Sequence, residues 1–212
     1  MKLRTRAVLP TPAALGPCLM LGAALATAGA TVAPAPDGLD FAGVHIGMTQ
    51  NAWKAAPFPG APSSRVEPVC SDDAAATAGL VAATASARRA GVVICAYMSH
   101  YGRFRLPQAI DLGPGLQARR LRFTFVKGRL SSIEYRASAD AFNELTTRLT
   151  GRYGPPRNLI RDAVKTELGA FPRVRQTWRT PRGEIDLVDP VQPFTELSVR
   201  LTGAPPPAGR AS

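Results

Sequence analysis

Four groups of side chains in this sequence could do chemistry: two histidines, the cysteines, an adjacent pair of aspartates, and clustered arginine. His45 lies between Val44 and Ile46 in a short apolar stretch, where an imidazole is more often a surface or core-edge residue than an acid–base catalyst. His100 follows an apolar run and has Tyr101 beside it, so it is the better placed of the two for an exposed rim. A small envelope hydrolase or metal-dependent enzyme, using His100 with an Asp or Glu brought near by folding, is therefore the alternative reading. Against it, there is no Gly-x-Ser-x-Gly and no Ser-x-x-Lys set convincingly at a strand-to-helix turn. Two histidines and two cysteines could hold zinc, but their spacing matches no compact ligand motif, and a Cys70–Cys95 disulfide would remove two ligands. Asp72 and Asp73 read as the charged first turn of a helix. No glycine-rich phosphate loop follows a strand. The reading assigns no catalytic residue, no metal and no cofactor.

Arginine is the unusual feature. Beyond the first 30 residues the chain has twenty Arg against three Lys. Clusters fall at Arg103 and Arg105, at Arg119, Arg120 and Arg122, and at Arg173, Arg175, Arg179 and Arg182. The planar guanidinium recognises phosphate and carboxylate in a bidentate fork. Arg120 and Arg122 project from one face of a strand, opposite Leu121 and Phe123, so with Arg103 and Arg105 they form the candidate binding strip. The simpler account, a GC-rich genome spelling solvated surface charge as arginine, is the preferred one.

The compartment decides which partners are available. Lys2, Arg4 and Arg6 precede a charge-free stretch reaching to Asp37, with an apolar run at 19–26 and a small-x-small site at Ala28-Gly29-Ala30. This predicts a signal peptide over residues 1–30, cleaved near Ala30, and a periplasmic or secreted protein. The apolar run is too short for a bilayer span, and Pro17 before Cys18 argues against lipid attachment there. Cleavage leaves 182 residues with 23 Lys+Arg against 15 Asp+Glu, a formal charge of +8. Cys18 leaves with the signal, and Cys70 and Cys95 are predicted to pair, as suits an oxidising compartment. Partners are then an envelope protein or an anionic lipid or lipopolysaccharide headgroup. Nucleic acid is excluded by location, and no transmembrane segment is expected in the mature chain. Oligomeric state is not legible.

The elements that must position these groups centre on residues 119–156. Leu121, Phe123 and Phe125 alternate with Arg122 and Thr124; Lys127-Gly128 marks a tight turn, and Ile133 and Tyr135 alternate on the return. Ser138 is placed to cap a helix with an apolar stripe at Phe142, Leu145, Leu149 and Tyr153, ended by Gly154-Pro155-Pro156. Upstream, residues 31–40 read as a disordered leader. Thr49 is a helix N-cap whose flanking Met48 and Trp53 form a hydrophobic staple, which puts Trp53 in the core rather than on a ligand. An Ala-rich helix or mobile loop is expected over 71–91, capped by Ser71. Strands are expected near 92, 120, 130, 174, 184 and 195, and residues 203–212 as a disordered tail.

The order helix-then-three-strands occurs twice, at 41–137 and 138–202, within one domain spanning 41–202. Phe41, Gly43, Ile46, Gly47, Met48 and Thr49 resemble the lead-in to the first helix of small exported helix-plus-antiparallel-sheet domains. The ending Leu149, Arg152, Tyr153, Gly154 and Pro156 is similar to a helix ending in the same group. These domains include the β-lactamase inhibitory proteins and the SmpA/OmlA outer-membrane assembly lipoproteins. The resemblance implies an α+β fold, an antiparallel sheet packed against helices. It also implies protein binding as the usual role, with no catalytic residue to transfer. Together these features predict a non-enzymatic interaction module.

Overall fold

The computed structural model describes residues 39–60, 62, 65–73, 81–167, 169–192 and 194–204. The predicted signal peptide, leader residues 31–38 and tail residues 205–212 lie outside that set. In chain order the elements are β1 (Asp40–Phe41), β2 (Val44–His45), α1 (Gln50–Ala55), β3 (Val66–Cys70), α2 (Ala85–Arg89), β4 (Val92–Tyr101), β5 (Phe104–Pro107), β6 (Ile110–Asp111), β7 (Gln117–Val126), β8 (Arg129–Ser138), α3 (Phe142–Tyr153), β9 (Asn158–Thr166), β10 (Gly169–Thr180), β11 (Gly183–Val191) and β12 (Glu196–Gly203).

The expected α+β fold is corrected. Described residues are 55% strand and 17% helix, with one ten-stranded antiparallel sheet. The physical reason is that the helices do not form a layer. α1 is six residues long and buries only Trp53; α3 is twelve and buries only Leu145; α2 is five and buries nothing. Alternating strands of nine to twelve residues provide most of the core instead. This is a β-rich fold with helical anchors.

The principal sheet path runs β3-β4-β7-β8-β12-β11-β10-β9, with β5 added to β4 and β6 to β7. α1 is thus followed by β3, β4, β7 and β8, and α3 by β9 to β12, the two runs meeting edge to edge where β8 pairs with β12. Each run has four strands in the path rather than the three expected. The extra ones are the two terminal strands. β3 carries Pro68, which an edge strand tolerates, and β9 is exposed along most of its length.

Lys127 and Gly128, at φ 50° and 77°, make the two-residue turn between β7 and β8. Leu121, Phe123, Phe125, Ile133 and Tyr135 point to one side, which we call the inner face, with Trp178, Ile185, Leu187, Leu197, Val199 and Leu201. The lead-in to α1 is stitched to this hairpin. Gly47 N–H donates to the Leu130 carbonyl, Leu130 N–H to Met48 and Gln50 N–H to Gly128. Thr49 caps α1 by accepting from Ala52 N–H at 3.2 Å.

Three local expectations change. Leu39 is buried and β1 starts at Asp40, so ordered chain begins inside the stretch read as a leader. Ser138 makes no side-chain cap; a short 3-10 turn over Ala139–Ala141 intervenes and α3 starts at Phe142. The Ser71-capped helix is absent from 71–73, which form a turn, and α2 begins only after Thr84, whose hydroxyl accepts from Ala87 N–H. Residues 74–80 of that segment are outside the described set.

Candidate functional site

Strand alternation that puts apolar side chains on the inner face must put their neighbours on the outer one. At the β3–β4 end that outer face is covered: Val81 packs on Val69, Ala96 and Met98 in a small second cluster. Over β8, β12, β11 and β10 it carries a polar hollow of about 370 Å³ lined by Glu134, Arg136, Arg175, Val188, Ser198 and Arg200 among others.

Register sorts these side chains into rows. One row runs Arg122, Glu134, Arg200, Asp186, Thr177 across five strands. It alternates in charge and both of its acids are taken: Arg200 Nη2 lies 2.8 Å from Glu134 Oε2, and Thr177 Oγ1 donates to Asp186 Oδ1 at 2.8 Å. The next row runs Arg119, Arg136, Ser198, Val188, Arg175. It contains three cations and no acid. Arg119 and Arg136 are direct cross-strand partners, an arrangement of like charges that destabilises a sheet unless an anion sits between them. Among the described residues neither Arg136 nor Arg175 forms an ion pair, and Arg136 Nη1 and Arg122 Nε are shielded from solvent without a hydrogen-bond partner. Buried donors left in that state are costly.

The surroundings limit what this row can accept. Glu196, paired with Ser138, stands at one end, and Arg173 is occupied by a fork onto Asp162 at 2.8 and 2.6 Å. That hydrogen bond holds the Asp162 carboxyl below its ordinary range. What remains is a shallow floor of Ser198 and Val188 between guanidiniums, suited to a carboxylate or phosphate oxygen from outside.

The expected strip is broken into two places. Arg122 lies on the outer face, but the register slips between Arg119 and Arg122, and Arg120 takes φ 49° in that bulge, so it does not simply share a face with Arg122. Arg103 and Arg105 are on the β4–β5 hairpin, where Arg105 Nε lies 3.2 Å from Glu67 and Arg103 stands over the Phe104 ring. Arg136, Arg200 and Ser198 were missed. The alternation Ser132, Glu134, Arg136 against Ile133 and Tyr135 would have found Arg136, had the outward face of the return strand been read as well as the inward one.

The other candidates resolve separately. Cys70 and Cys95 form a disulfide across β3 and β4. Asp72 and Asp73 lie in a turn: Asp72 accepts from Gln50 Nε2, and Asp73 accepts from Lys54 at 2.6 Å and from Cys70 N–H at 2.8 Å, locking the turn after β3. His45 is exposed on β2. His100 Nε2 lies 2.9 Å from Glu67 Oε1, near enough for charge pairing on protonation but not aligned as a hydrogen bond. Ser99, the adjacent hydroxyl, points to the opposite face and bonds to Gln108. Trp53 is fully buried, its ring centroid 4.9 Å from those of both Tyr97 and Phe123.

No helix among the described residues is long and apolar enough to cross a membrane. The chain matches no protein-family model, no curated protein and no solved structure.

Proposed function

We propose that this chain is an exported, non-enzymatic interaction module that docks an acidic surface of an envelope protein against its open sheet face. One observation carries the reading: the row Arg119, Arg136, Arg175 holds three cations and no acid, beside a row of the same sheet whose two acids, Glu134 and Asp186, are taken by Arg200 and Thr177. Evenly scattered solvated charge would not sort itself this way. The signal-like first 30 residues, the disulfide and the motifs resembling those of protein-binding exported domains support the same reading. A carboxylate from the partner would satisfy Arg136 Nη1 and relieve the Arg119–Arg136 repulsion at once. Charge complementarity of this kind sets specificity and association rate more than raw affinity.

Affinity capture from envelope extract tests it, with the intact chain as bait. Reversing Arg136→Glu and Arg175→Glu together is expected to weaken capture of the retained protein by at least about tenfold. The same charge change at the exposed Arg89 and Arg182 should leave it near the parent level. Equal losses from both pairs would reduce the attraction to net charge and overturn the site.

A further inference from the structure

β4 runs past the covered core at Ser99 and turns back through Gly102 and Arg103 into β5. The register pairs Ser99 with Leu106, His100 with Arg105, and Tyr101 with Phe104. Cross-strand partners share a face, so Tyr101, Phe104 and Leu106 fall on one side of the ribbon while His100 and Arg105 fall on the other. The apolar side is bare: these three residues are 49%, 59% and 51% exposed. Exposed apolar groups scattered singly need no explanation, but three on one face of one hairpin do.

The charge around them selects the occupant. From Tyr101 to Pro107 there is no acidic residue. Arg103 sits at the turn, its guanidinium carbon 5.2 Å from the centre of the Phe104 ring. Glu67 already faces both His100 and Arg105. Tyr, Phe and Leu edged by arginine with no acid is the composition that settles at a membrane–water boundary, rings at the acyl edge and guanidiniums among phosphates. We infer that this hairpin is an interfacial anchor, inserting Tyr101, Phe104 and Leu106 into the headgroup region of an anionic bilayer with Arg103 on the lipid phosphates. Three apolar side chains and the arginine at the turn give reversible attachment, which needs both signals together. The anchor is independent of the open sheet face.

A reporter placed in the hairpin reads this site and no other. Phe104→Trp in the full chain is titrated with phosphatidylglycerol vesicles and with phosphatidylcholine vesicles; Trp53 and Trp178 are buried and supply a constant background. Expected are a blue shift and quenching by brominated acyl chains with the anionic vesicles only. Adding Arg103→Glu should raise the lipid needed for half the shift by about tenfold or more. The anchor is overturned by no shift with anionic vesicles, by equal shifts with both lipids, or by indifference to Arg103→Glu. A shift on concentrating the protein without lipid would assign the face to a second copy instead. Tyr101→Trp repeats the reading should Phe104→Trp fail to fold.

Discussion

Replacing Trp53 with alanine is expected to cost about 3–5 kcal/mol, a large share of a single domain's stability of roughly 5–15 kcal/mol. α1 has only six residues, too few to hold together alone. It persists because Trp53 enters the core with no exposed surface and meets Tyr97, Phe123 and Phe125 at 4.9, 4.9 and 5.8 Å between ring centroids. Truncation to alanine removes all three contacts and leaves a cavity that the surrounding strands, paired on both sides, cannot close. Thr49→Ala removes only the cap and should cost about 1 kcal/mol. Guanidinium unfolding of the two variants separates these effects; a Trp53→Ala loss below that of Thr49→Ala would show that the docking of α1 contributes little.

The disulfide is the second large term. Cys70 and Cys95 are 25 residues apart in sequence and directly opposed in the ladder. Closing a loop of that size lowers the entropy of the unfolded chain and stabilises the fold by about 3.5 kcal/mol. Its position adds to this, because β3 is a terminal strand whose one sheet neighbour is β4. The Cys70→Ala, Cys95→Ala double variant is expected to unfold at markedly lower denaturant. Both cysteines are fully buried, so the native protein should also resist mild reductant until denaturant is added. A double variant within about 1 kcal/mol of the parent would mean that β3 is held by packing alone.

Much of the central hairpin was legible because its signals are local. Lys127-Gly128 can only be a tight turn between alternating runs, and the same alternation identifies Leu121, Phe123 and Phe125 as core. Trp53 was legible for a similar reason, through the staple spacing from Met48. The fold class was misjudged because helical stripes are conspicuous in sequence while the area they bury is not: Phe142, Leu149 and Tyr153 flank the core rather than fill it. Ser71 followed by two aspartates looks like a helix start, yet Ser71 Oγ accepts from Ile94 N–H and Asp73 from Cys70 N–H, so tertiary partners outcompete the local preference. β9 was overlooked because an exposed edge strand has no buried face to betray it. The Arg119–Arg122 bulge arises from pairing with β8, and the acid-free row exists only because β8 lies beside β12. Neither neighbourhood is encoded within one stretch of chain.

The central claim is that the open sheet face, and not the helix side, is where a partner sits. Arginine-specific labelling with phenylglyoxal, read residue by residue by mass spectrometry with and without the captured partner, tests it most directly. Arg136 and Arg175 should become protected on binding, while Arg148 and Arg152 on α3 keep their reactivity. Protection confined to Arg148 and Arg152, with Arg136 and Arg175 modified as readily as before, would contradict the account.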